Sequence, residues 1–415
     1  MLNNPAAAPI DTRIEFICEL AARLHSYGTT AQRLENALIA VGRQLGIECE
    51  PWSNPTGIIL SFRPIGGKTK DPESTRVIRL ALGENALGKL AETDRIAEEV
   101  LNGNLDIVQG HALLMALDAP VSRRTRWTQV MGFGLAAFGV ACLFRLPWLD
   151  IATAAVAGLS IGAMFNVVDL KWEGLKDSEE VIAAALATLI TVMVGTWIAP
   201  LNFNTVIIAA VIVLLPGMGI TNAVNELTSQ HLVSGTARLA GSLTVVLKLA
   251  IGTMIITTVT GLLGMHAQVR MDRSQPLWVE AVGILTAAFS FAILFRAHTR
   301  DYALVMMSAS TGYLVSRLVA MSLGNVAGVF FAALCMTMLG NCYARVFKRP
   351  GALVRLPGII MLVPGSISFR GVINLLQQQS ADAGKIAAVD LLNILLALIA
   401  GILLGNLVVS ARRSL

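Results

Sequence analysis

From residue 127 onward the sequence is a succession of apolar stretches, each near the length of a bilayer-spanning helix. They run at approximately 127–144, 150–168, 181–199, 203–222, 238–262, 277–295, 301–320, 324–343, 353–369 and 386–409. No other feature constrains the fold as strongly. Lipid cannot satisfy open backbone polar groups, so such a chain must become helices or a closed barrel. Continuous apolar runs, rather than short alternating ones, argue against an outer-membrane barrel. Charge supports the division. Of the 59 charged residues, 29 fall in the first 126 positions and only 30 in the other 289. The mean hydropathy of +0.67 excludes a wholly soluble enzyme and a disordered chain. The five cysteines are odd in number and form no C-x-x-C, which speaks against a disulfide scaffold and a zinc site. The expected class is an all-α polytopic membrane bundle of about ten helices, carrying a small N-terminal cytoplasmic α+β domain.

The first 122 residues read as that domain. Ile14, Ile17, Leu20, Ala21 and Leu24 form one stripe of a helix over 11–27. Gly28 follows as a stop, and Thr29 with Gln32 forms a capping box for a second helix to about Gly46. Strand-like runs come next at Ile47–Trp52, Gly57–Phe62 and Thr75–Leu80, then two helical stretches at about 85–102 and 105–118. Met1–Ile10 lacks a basic n-region and no apolar h-region follows, so a cleaved signal peptide is not expected. With the N-terminus inside, the cytoplasmic connections carry Arg123, Arg124, Arg126, Lys171, Lys176, Arg238, Arg296, Arg300, Arg345, Lys348, Arg349, Arg412 and Arg413. That bias predicts both termini in the cytoplasm. The net charge of +5 is read as this positive-inside signal. No basic stripe interleaved with aromatics points to nucleic acid.

Two apolar stretches are interrupted alike. Leu214-Leu215-Pro216-Gly217 matches Leu362-Val363-Pro364-Gly365, and each is followed by a polar amphipathic stretch and a long apolar helix. The match divides the membrane part into halves at 123–263 and 264–415, each of five helices. An odd number makes successive halves enter from opposite sides, which is an inverted-topology repeat. A helix broken by Pro-Gly exposes backbone groups that survive only beside a cavity or a partner. The new N-terminus also presents the positive end of a helix dipole, suited to a carboxylate. The candidate substrate-binding residues are therefore Pro216, Gly217, Gly219, Asn222, Asn225, Pro364, Gly365, Ser366 and Arg370. Scarce intramembrane charges supply candidates for proton coupling or charge balance: Asp390, Glu226 and Lys248.

Enzyme signals are missing. Gly67-Lys68-Thr69 resembles the tail of a P-loop, but Phe62 stands where its first glycine belongs. The histidines make no H-E-x-x-H. No catalytic residue, metal or cofactor is expected.

His25-Ser26-Tyr27-Gly28-Thr29-Thr30, with Arg33 and Glu35, resembles the opening motif of the threonine/serine exporter family. Leu215-Pro216-Gly217…Asn222, with Ser234-Gly235…Arg238-Leu239, resembles its fourth-span signature. Leu362-Val363-Pro364-Gly365-Ser366…Phe369-Arg370-Gly371 resembles the motif near its C-terminus. Ser368 departs from the glycine expected there. The resemblance implies ten spans after a cytoplasmic domain, and proton-driven export of threonine, serine or small related solutes across the cytoplasmic membrane. In that reading the partners are a small-molecule substrate, protons and the lipid bilayer, with self-association left open. The rival readings are export of a dicarboxylate such as succinate, a membrane-anchored hydrolase using the N-terminal domain, and a channel or receptor.

Overall fold

A computed structural model describes residues 5–65, 73–83, 85–119, 122–265, 268, 274–363, 365–376 and 381–410. Gly67-Lys68-Thr69, Pro364 and the side chains of Ser368 and Asn374 lie outside the described residues.

The chain opens with α1 (Ile10–Ser26) and α2 (Ala31–Gln44), then an antiparallel meander of β1 (Ile47–Asn54), β2 (Gly57–Pro64) and β3 (Ser74–Arg79). Cys49 lies opposite Phe62, and Ile59 opposite Val77. Ile58, Leu60 and Phe62 alternate onto the buried face of the sheet, as period-two patterning requires. They meet Phe16, Ile17, Leu20 and Leu24 of α1 and Leu34 and Leu38 of α2. Two more helices, α3 (Leu87–Leu101) and α4 (Ile107–Ala116), complete the unit. Its helices and strands begin and end within a few residues of the sequence expectation. The capping box is corrected. Thr30, not Thr29, is the N-cap of α2, and it makes no side-chain cap. The first amide of that helix is met instead by a carboxylate from the bundle, described below.

The bundle begins with α5 (Arg123–Leu143), α6 (Trp148–Lys171) and α7 (Glu179–Trp197). It continues through α8 (Phe203–Ala210), α9 (Gly217–Thr228) and α10 (Leu232–Leu262). After the link come α11 (Leu277–Leu294), α12 (Tyr302–Leu323), α13 (Asn325–Phe347), α14 (Ala352–Ile360), α15 (Gly365–Leu376) and α16 (Ala381–Val408). Among the described residues, α6, α7, α10, α11, α12, α13 and α16 are within seven segments long and apolar enough to cross a membrane. The pair α8 and α9, bent by 60° with the short turn between them, makes an eighth. The sequence reading of ten spans is thus met by seven to eight on this measure. α5 falls short because arginines fill its first turn and glycine and alanine much of the rest. The α14–α15 pair consists of two short helices of 9 and 12 residues.

Packing relates the halves element by element. α7 lies along α10 as α13 lies along α16, α9 packs on α10 as α15 packs on α16, and α5 packs on α11. Small residues permit the close approaches. Gly158 and Gly162 of α6 face α5, and Gly401 and Gly405 of α16 face α13. The N-terminal unit sits directly on the bundle, and its core runs on into Phe291, Phe295 and Leu353. Backbone bonds join the two parts as well. The amides of Leu87 and Gly88 donate to the carbonyls of Phe295 (2.8 Å) and Arg296 (3.2 Å). The open N-terminus of α3 is thereby satisfied by the open C-terminus of α11.

Candidate functional site

The first break follows from local chemistry. α8 ends at Ala210, a short turn covers Ile212–Leu214, and Leu215 is extended. Pro216 has no N–H to continue the ladder, and α9 starts afresh at Gly217. The second break separates α14 from α15 at the matching place. The two breaks touch. A Cβ built on Gly217 would collide with Val363 and lie 3.3 Å from the Gly365 amide nitrogen. One built on Gly365 would lie 3.1 Å from the Leu215 Cβ and 3.5 Å from the Gly217 Cα. The absence of a side chain at both residues lets the two segments pack this closely without displacing Val363 or Leu215.

Beside the breaks, on the face that carries the N-terminal unit, lies a cavity of about 420 Å³. α9 contributes Met218, Thr221, Asn222 and Asn225 to its wall. α14 contributes Arg355 and Ile359, and α16 contributes Asn406. The N-terminal unit closes it with Thr29, Arg33 and Asn36. This volume suits a solute of a few heavy atoms. Carboxamides and hydroxyls dominate the polar lining. The hydroxyls of Thr29 and Thr221 are buried and, among the described residues, have no hydrogen-bond partner.

Glu226, on the same helix, is fully buried. Its carboxylate accepts from the Ala31 amide (3.1 Å), the Ser234 hydroxyl (2.8 Å) and Arg238 Nε (3.1 Å). It therefore caps α2 across the junction, in the place where a carboxylate best complements a helix N-terminus. A second tether lies alongside, where His231 Nε2 stands 2.9 Å from Glu35 Oε2. Glu35 also accepts from the Ser53 amide at 2.8 Å. His25 faces this junction from α1. Its Nε2 lies 2.9 Å from the Asn54 carbonyl, whereas Nδ1 is buried with no partner. The carbonyl can only accept, so Nε2 carries a hydrogen and donates it. Burial holds its pKa below the ordinary 6.5, Arg238 acts in the same direction, and the Asn54 bond and Glu226 oppose them.

The residues expected from sequence divide into groups. Asn222 and Asn225 line the cavity, and Pro216, Gly217 and Gly365 form the junction above it. Gly219 packs against Ser242 of α10 rather than facing the cavity. Ser366 is half-buried at the start of α15, Arg370 is exposed further along it, and Asp390 is exposed on α16. Lys248 lies elsewhere, bonded to the Asp177 carbonyl (2.6 Å) and Glu180 (3.2 Å) at the start of α7. Two other scarce charges neutralise each other, because Glu280 accepts from Tyr313 (2.8 Å) and pairs with Arg317 (3.2 Å).

Arg33 and Arg355 also line the cavity and are not among the residues expected from sequence. Arg355 is a charge inside the apolar stretch 353–369, but it precedes its Pro-Gly, whereas Asn222 and Asn225 follow theirs. Asp150, a further buried charge of the bundle, lies outside the cavity wall and accepts two bonds from Asn202. Among the described residues, no group of three or more His, Cys, Asp or Glu could hold a metal ion.

Comparison with known proteins covers nearly the whole chain. The family model described as "Putative threonine/serine exporter" matches residues 15–260, and that described as "Threonine/Serine exporter, ThrE" matches residues 280–408. A "Probable threonine/serine exporter" of Mycobacterium tuberculosis is 24% identical over 335 residues, covering 78% of this chain and 63% of that protein. "Pheromone-regulated membrane protein 10" of Saccharomyces cerevisiae is 24% identical over 367 residues, covering 87% of this chain and 47% of that protein. The counterpart in Zygosaccharomyces rouxii is 23% identical over 362 residues, covering 86% of this chain and 37% of that protein. The chain thus spans between about a third and two thirds of the length of these relatives. No solved structure matches it.

Proposed function

The chain belongs to the threonine/serine exporter family, a family of multi-pass membrane transporters, and on that premise we propose that it exports small amino acids such as threonine and serine. The observation that carries this reading is the junction of the two breaks above one polar cavity. The export is across the cytoplasmic membrane, with both termini inside, so the cavity opens toward the cytoplasm. Three segments divide the work: a cytoplasmic domain over 1–122 and two membrane halves over 123–263 and 264–415.

In this reading the halves form an inverted repeat, which the matching helix pairings support. α9 and α15 are then counterparts pointing to opposite faces. Asn222 and Asn225 receive the solute from the inside. Ser366 and Arg370 meet it in the outward-open state. Gly217, Gly219 and Gly365, with the two prolines Pro216 and Pro364, form the pivot between states. Glu226 takes up and releases the coupled proton, and Asp390 is the second candidate. Protonating Glu226 would loosen its bonds to Ala31 and Arg238, linking the proton to docking of the N-terminal domain. Lys248 balances charge at the α7 end.

The test is efflux of labelled threonine and serine from vesicles holding the purified protein, with and without a proton-motive force. Efflux that does not depend on the protein would end the reading, and efflux indifferent to the proton gradient would end the coupling. One observation favours a second solute. Among the described residues, no carboxylate lines the cavity to meet an ammonium group, so succinate belongs in the same assay.

A further inference from the structure

Arg33 of α2 and Arg355 of α14 reach the cavity from different parts of the molecule, one from the N-terminal unit and one from the bundle. Both are half-buried, and Arg33 is the leading charge acting on Arg355. Among the described residues neither has a hydrogen-bond or ion-pair partner. Asp94 of α3 offsets Arg33 in part, from outside the cavity wall. Two guanidinium groups facing one confined space repel each other, and the low dielectric around them magnifies the repulsion. An anion between them removes that cost. Guanidinium is also the side chain best matched to a carboxylate or phosphate, which it grips with two parallel bonds.

A second observation points to the same place. Among the described residues the buried hydroxyls of Thr29 and Thr221 have no partner, and both residues belong to this wall. Buried polar groups are nearly always bonded, so each is a spare donor lying just behind the cavity surface. Like the arginines, one comes from the N-terminal unit and the other from the bundle.

We propose that Arg33 and Arg355 together grip one small oxyanion, a carboxylate or a phosphate group, at the junction of the soluble unit and the bundle. The N-terminal unit then supplies half of the site, and an occupied site ties that unit to α14. The transport reading enters only in the source of the anion. The carboxylate of an exported solute is one source, and free phosphate is the other.

The experiment uses the purified full chain in detergent, titrated calorimetrically with serine, sodium succinate and sodium phosphate at constant ionic strength, with sodium chloride as reference. The parent binds at least one oxyanion more tightly than chloride. Arg33→Gln and Arg355→Gln each weaken that binding about tenfold, the scale expected for losing one charge-assisted pair. Arg33→Lys and Arg355→Lys keep the charge without the fork and weaken it less, which covers the case in which a glutamine variant fails to fold. Tightest binding of serine or succinate identifies the solute carboxylate as the ligand, and tightest binding of phosphate identifies a non-transported anion. No preference over chloride in the parent, or unchanged binding in all four variants, overturns the proposal. Vesicle efflux run beside it separates the two readings. Binding without efflux sinks transport and leaves the oxyanion site, whereas efflux with arginine-independent binding does the reverse.

Discussion

The two Pro-Gly breaks share a sequence pattern but present different chemistry to the cavity. At the first break the helix that follows, α9, runs toward the N-terminal unit and offers the carboxamides of Asn222 and Asn225. At the second, the helix that precedes the break, α14, lies on that side and offers Arg355. α15 leads away. It is followed by α16, whose 28 residues span about 42 Å at 1.5 Å per residue. The far end of α16 brings Asn406 back to the cavity. A pattern read in one direction along the chain thus finds the right neighbour at one break and the wrong one at the other.

The strongest way to break the comparison is at the contact between the breaks. Gly217→Val places a branched side chain against Val363 and Gly365. The new side chain would clash with the Val363 Cγ1 and crowd the Gly365 amide, so Val363 and the facing backbone must shift and efflux should fall about tenfold or more. Gly365→Val should do the same if the breaks act as a pair. Gly241→Ala, where a Cβ meets nothing within 4 Å, is the control. Efflux at the control level in both valine variants would show that the contact is incidental.

The next effect concerns the anchoring that α9 has through Glu226. Glu226→Ala removes the acceptor for Ala31, Ser234 and Arg238 and leaves Arg238 unpaired. Breaking a buried pair in this way costs about 3–5 kcal/mol, read as a large drop in the thermal unfolding midpoint. Glu226→Gln is milder in stability. It should leave efflux no longer responsive to the proton gradient, and a gradient response equal to the parent's would move the coupling role to Asp390.

A smaller effect tests the second break. Arg370 is exposed on α15, outside the cavity wall. Arg370→Gln should lower efflux about threefold, as loss of one screened charge contact does, while leaving solute binding to the detergent-purified protein unchanged. Weakened binding would place Arg370 in the same site as Asn222 and contradict the opposed directions of the two helices.

These contrasts show what the sequence could and could not reveal. Helix positions were legible because apolar stretches and Pro-Gly breaks are local signals. Asn222 and Asn225 were legible because they follow a break on the same helix. Glu226 was singled out for its charge, but its bond to Ala31 joins residues 195 apart and has no local signature. The same holds for Arg33 and Arg355, which meet only through docking of the N-terminal unit. The capping box failed for a related reason. Thr29 and Gln32 had the right spacing, but a carboxylate from the bundle took the amide.

The smallest effect probes the anchored break through pH. His25 lies at the junction, within the electrostatic reach of Glu226 and Arg238. Its folded pKa is depressed below the ordinary 6.5, chiefly by burial. The unfolded chain therefore binds the proton more readily than the folded one. The neutral ring's contribution is complete above pH 6.5 and is lost as pH falls from there through the lower folded value. A proton on Nδ1 would find no acceptor, since that atom is buried and unpartnered. The unfolding midpoint of the full chain should accordingly fall between pH 6.5 and 5, and His25→Gln should flatten that part of the curve. The glutamine variant keeps a donor for Asn54 but has nothing to titrate. If parent and variant lose stability in parallel over this interval, the acid sensitivity belongs to other groups, and the anchor beneath the first break is indifferent to His25.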